Sequence, residues 1–132
     1  MPPDPARPDD PREWLNRARS NLLHAKSRSA GVYFEDLCFD AQQAAEKALK
    51  AVLLQREIRF PYVHDLATLI TLIDQSGEET PPQIREAGRL TRFAVMARYP
   101  GVAEPVTEQE YQHSVAIAEA VVAWATALLN RT

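Results

Sequence analysis

A single cysteine, Cys38, is all that the 132 residues contain, so no disulfide can form within the chain and a reducing compartment is the default. Glycine is scarce as well: there are four, no two of them near each other, which excludes a glycine-rich phosphate loop. No apolar run approaches the length of a bilayer crossing, and the N-terminus lacks the basic start and apolar stretch of a secretion signal. The expectation is a cytoplasmic protein with no membrane span. Positive charge is not in excess either, because 15 Lys and Arg against 18 Asp and Glu leave a net charge of -3. Any contact with RNA must therefore come from a local patch. Of the three histidines, His113 has no second His, Cys or carboxylate arranged with it, so no metal and no cofactor is expected.

What is present is ordinary for one soluble domain: 45% hydrophobic and 25% charged residues in a chain long enough to bury a core. Residues 1–9 hold four of the ten prolines and almost nothing apolar, and read as a disordered leader before a single domain spanning 10–130. The longest helical pattern, Tyr33 to Gln55, repeats apolar and small residues at spacings of three and four without Gly or Pro. It is taken as the central helix. Ala41, Ala44, Ala45 and Ala48 form a smooth strip for the close approach of a neighbour, while Asp36, Asp40, Gln43, Lys47 and Lys50 make the opposite, solvated face.

Capping signals mark the other helices. Asp10, Pro11 and Glu13 open the first, which runs to about Arg28. After a linker containing Pro61, Asp65 caps a third helix that stops before Gly77. Thr80, Pro81 and Gln83 suggest a capping box for a fourth, carrying Ile84, Ala87, Gly88, Thr91, Ala94 and Val95 inward as far as Arg98. Thr107 and Glu110 form another box, opening a fifth helix to about Asn130 that is apolar over more than half its circumference. No window shows strand alternation. The predicted fold is all-α: an up-and-down four-helix bundle with one additional short helix, five helices in all.

The segments CFDAQQAAEKALKAVLL, HDLATLI and ARYPG, followed by an Ala-rich final helix, resemble the HEPN family, the higher eukaryote and prokaryote nucleotide-binding domain. The resemblance runs from about Trp14 to Leu129. It implies a helical bundle, frequent homodimers, and association with a separately encoded minimal nucleotidyltransferase, including toxin–antitoxin arrangements. It also implies nucleotide or RNA binding, and in some members metal-independent RNase activity from an Arg and a His separated by four to six residues.

Arg59 and His64 match that pattern, as do Arg17 and Arg19 with His24. In the first pair His64 would move a proton at the ribose hydroxyl and Arg59 would hold the phosphate. The alternative gives His64 a structural role as helix cap or loop anchor. On helix one, Arg19 and His24 lie about 140° apart and Arg17 and His24 roughly 10 Å apart along the axis, so neither makes a good site. The family's nuclease motif usually opens a late helix, after the region that here reads MARYPG, and no His follows Arg98 at that spacing. Among ligand-binding candidates, Lys47 could project from helix two and Arg92 from helix four beside Arg85 and Arg89, against the alternative of solvated faces. Arg98 and Tyr99 occupy the turn most characteristic of the family, where a ligand or dimer role competes with a structural one.

Overall fold

The computed structural model describes residues 9–96 and 105–131. Helix α1 (Pro11–Ala25) starts where Asp10 accepts the Arg12 N–H at 3.0 Å and ends before Lys26, whose N–H turns back to the Leu22 and His24 carbonyls. It is thus shorter than the reading to Arg28. Glu13 pairs with Arg17 at 3.1 Å.

Helix α2 (Phe34–Gln55) has Glu35 and Asp36 in its first turn, complementing the helix dipole. It ends in a Schellman turn: the Ile58 N–H reaches the Leu53 carbonyl at 2.9 Å and the Glu57 N–H the Leu54 carbonyl at 3.0 Å. This turn needs a left-handed residue, and Glu57 supplies it at φ 56°, a position glycine usually fills.

Helix α3 (Leu66–Gln75) begins at Asp65, whose carboxylate accepts the Ala67 N–H (3.2 Å) and the Thr68 hydroxyl (3.0 Å). The expected box at Thr80 does not form. Thr80 instead donates its N–H and hydroxyl to Asp74 Oδ1, at 3.2 and 2.6 Å, closing the preceding loop, and the next helix starts at Pro82 without a side-chain cap.

That fourth rod is not one α-helix. It runs as α4 (Pro82–Arg85), a 3-10 helix (Glu86–Thr91) and α5 (Arg92–Met96). A 3-10 helix has three residues per turn, and the buried side chains follow that period as Ile84, Ala87, Leu90 and Phe93. The changed phase explains why Leu90 and Phe93 point inward while Val95, expected inside, is 60% exposed. Helix α6 (Glu108–Asn130) opens with the predicted box: Thr107 Oγ1 accepts the Glu110 N–H at 3.1 Å and Glu110 Oε1 accepts the Thr107 N–H at 3.3 Å.

Counting the broken rod once, the described residues form five helical rods and no strands. Helix α2 is the hub, touching α1, α3, the 3-10 helix, α5 and α6. Its alanines at 41, 44, 45, 48 and 51 are fully buried, which lets neighbouring backbones approach closely. The solvated face expected for α2 is absent in its second half. Glu46 and Lys50 are buried there, as is Gln42 one turn earlier, because the chain after α2 folds back over them. Helix α6 packs on α2, α1 and the fourth rod, and buries Tyr111, Ile117, Ala118, Val121, Val122, Ala125, Leu128 and Leu129. By length and composition alone α6 could cross a bilayer, which is also true of a bundle's core helix.

Candidate functional site

Three residues one turn apart on α2, Gln42, Glu46 and Lys50, form a polar stripe between apolar positions. Lys50 Nζ donates to Glu46 Oε2 at 2.9 Å and Gln42 Nε2 to Glu46 Oε1 at 2.8 Å. Gln43 Nε2 donates to Gln42 Oε1 at 2.7 Å. Both side chains of the ion pair are 5% exposed, so each charge needs its partner. Burial pushes the Glu46 carboxyl up, but hydrogen bonds from Lys50, Gln42 and His64, with the Lys50 charge, outweigh it and hold the group below the usual carboxylate range.

The reversal at Glu57 carries the linker back across this stripe. Phe60 and Tyr62 from the linker and Trp14 from α1 place their rings around the Lys50 ammonium, with centroids 5.6 to 5.7 Å from Nζ. Such cation–π contacts strengthen when desolvated, as Lys50 is here. Tyr62 is itself 94% exposed and stands edge-on to His64.

His64 Nδ1 lies 3.0 Å from Glu46 Oε1. An ionised carboxylate only accepts, so Nδ1 carries the proton, and in the neutral ring Nε2 is left as the acceptor. The imidazole is oriented by a carboxylate behind it and is half exposed in front. Arg59, five residues earlier, is exposed and has no hydrogen bond or ion pair with any described residue. The other Arg–His combinations do not meet: Arg17 binds Glu13, and Arg19 donates to Asn16 and to Thr126 of α6.

The remaining ligand candidates disperse. Lys47 is half-buried and donates to Asn21 of α1 at 2.8 Å, and burial, helped by the Arg17 charge, lowers its pKa. Arg92 pairs with Glu110 at 2.7 Å and Arg85 with Asp74 at 2.9 Å, so two of the three arginines on the fourth rod already have carboxylates. Arg98 and Tyr99 lie outside the described residues. Sequence reasoning missed the ring of Trp14, Phe60 and Tyr62 around Lys50. The available signal was the spacing of Gln42, Glu46 and Lys50, with apolar positions on both sides of the stripe.

Comparison with known proteins agrees with the bundle. The sequence model of the HEPN domain family matches residues 11–128. The structure is similar to that of an archaeal HEPN homologue, with a TM-score of 0.74 and 26% identity over 92% of this chain and 98% of that one. A protein from Thermus thermophilus gives 0.74 and 30% identity over 89% and 97%. A HEPN domain protein from Thermotoga maritima gives 0.58 and 24%, over 92% and 95%, a likeness of fold. No protein with a curated description matches the chain.

Proposed function

Because this chain belongs to the HEPN family, we propose that it is a non-catalytic helical binding module that pairs with a separately encoded minimal nucleotidyltransferase. In this reading it contacts single-stranded RNA or a nucleotide through the linker surface carrying Arg59, Tyr62 and His64, and the pair works in a toxin–antitoxin arrangement. The observation that carries the reading is that surface itself. An almost fully exposed tyrosine and an arginine with no ion pair among the described residues stand beside a histidine fixed from behind by a buried carboxylate. Aromatic faces stack bases at about 1–3 kcal/mol each, and an unpaired guanidinium binds phosphate.

The test is fluorescence anisotropy with a mixed-sequence single-stranded RNA. Tyr62→Ala should weaken binding about 30-fold, the middle of that stacking range, and Arg59→Ala should flatten the salt dependence. Absence of binding by the wild type would reject the RNA contact. Co-expression with a minimal nucleotidyltransferase should give one complex on size-exclusion chromatography, and separate elution would reject the partnership. A homodimer of the 14.8 kDa chain is part of the same proposal, and light scattering that returned the monomer mass would remove it.

A second reading, a metal-independent endoribonuclease, is favoured by one observation: the Glu46–His64 contact orients an imidazole as a general base requires. Against it, Arg59 is not held by any described neighbour, so the phosphate clamp lacks the preorganisation that catalysis needs. RNA cleavage in EDTA by the wild type, lost about 10²- to 10⁴-fold in His64→Ala, would reverse the preference.

A further inference from the structure

Between the fourth rod and α6 lies a groove of about 400 Å³ lined by Arg89, Leu90, Arg92, Phe93, Glu110, His113, Ser114 and Ile117. Neither Arg59, Tyr62 nor His64 contributes to it, so what it binds is independent of the linker surface. Its volume falls in the range of small-molecule sites, roughly 300–1,000 Å³. Leu90, Phe93 and Ile117 lie beneath it with little more than an edge accessible, and the rim carries the charges.

Those charges are unequal in their freedom. Arg92 is neutralised by Glu110, and the Ser114 hydroxyl donates to the Glu110 carbonyl within α6. His113 Nε2 stands 4.0 Å from Glu86. Arg89 alone among the lining cations has no hydrogen bond or ion pair with a described residue. A guanidinium at the edge of an apolar groove matches a planar carboxylate, which it can hold through two parallel hydrogen bonds. With Arg92 matched by Glu110, the lining keeps about one net positive charge, that of Arg89. A phosphate monoester, mostly dianionic at neutral pH with its second pKa near 6, is disfavoured there.

We propose that this groove binds a small organic monocarboxylate, its carboxylate on Arg89 and its apolar body in the groove above Leu90, Phe93 and Ile117. The test is an amide NMR titration of the full chain with indole-3-acetate, with indole-3-acetamide and inorganic phosphate as controls. The acid should produce saturable shifts at Leu90, Phe93, Ser114 and Ile117, and the neutral amide should bind at least tenfold more weakly. Arg89→Gln, which breaks no contact among the described residues, should keep the wild-type melting temperature and weaken the acid about tenfold. Equal binding of acid and amide would overturn the proposal. So would unchanged affinity in Arg89→Gln, competition by phosphate, or no saturable shift with the acid.

Discussion

Removing the charge of Glu46 should destabilise the protein more than removing the Glu46–Lys50 pair altogether. In Glu46→Gln the Lys50 ammonium stays among Trp14, Phe60 and Tyr62 with no anion to compensate it. Stranding one member of a buried ion pair costs about 3–5 kcal/mol. At roughly 4 °C per kcal/mol for a domain of this size, the melting temperature should fall by about 12 °C or more. Lys50→Met should cost less, because Glu46 keeps the Gln42 donor and the His64 contact. The double variant replaces both charges by neutral groups of similar volume and should unfold within about 1 kcal/mol of wild type. Urea midpoints for the four proteins, at unchanged m-values, give a coupling energy expected near 2 kcal/mol or more. A coupling below about 0.5 kcal/mol would refute the account of two charges sealed together. The pH dependence has a definite sign. The folded Glu46 carboxyl lies below its ordinary range, so the unfolded chain binds more protons. Its stabilisation is complete above the unfolded carboxyl pKa and is lost as pH falls through the folded one. The advantage of wild type over the double variant should therefore shrink in acid.

Glu57→Gly should raise stability by about 0.5–1 kcal/mol in urea unfolding, since glycine adopts φ 56° without strain. Glu78 accepts from both Arg56 and Arg131 at 2.6 Å, so Glu78→Gln should cost about 1 kcal/mol, an effect that high salt erodes. Ala45→Leu forces a larger side chain into the fully buried strip and should cost about 1–3 kcal/mol by the same measurement. Burial pushes the Cys38 thiol up to about 11, so Ellman's reagent should label it only at the rate of unfolding, and rapid labelling of the native protein at pH 8 would contradict that burial.

The parts of the fold that depend on near neighbours in the chain were readable from the sequence. Asp10, Asp65 and the Thr107–Glu110 box act within three residues of the helix ends that they mark, and all three stand where expected. Thr80 misled because its competing acceptor, Asp74, belongs to the previous helix. The phase of the fourth rod was lost for a different reason: periodicity was read at 3.6 residues per turn through a stretch that winds at three. The candidate site was the least readable. Charged residues on a long helix normally face water, and only the return of the linker, with Trp14 arriving from α1, turns Glu46 and Lys50 into interior groups. The fixing of His64 follows from that same long-range closure.

Helix α2 is walled in by every other rod, and this governs how the molecule opens. Lifting any one neighbour still leaves the others in place over the backbone of residues 44–53, so no partial opening exposes that segment fully to solvent. Hydrogen exchange at these amides must then proceed through global unfolding, and their protection reads out the full stability of the fold. The ends of α1 and the exposed side of α3 are held from fewer directions, and they should exchange through smaller excursions. Motions at the linker or at the groove beside α6 can thus occur around a centre that stays closed, without loosening the bundle.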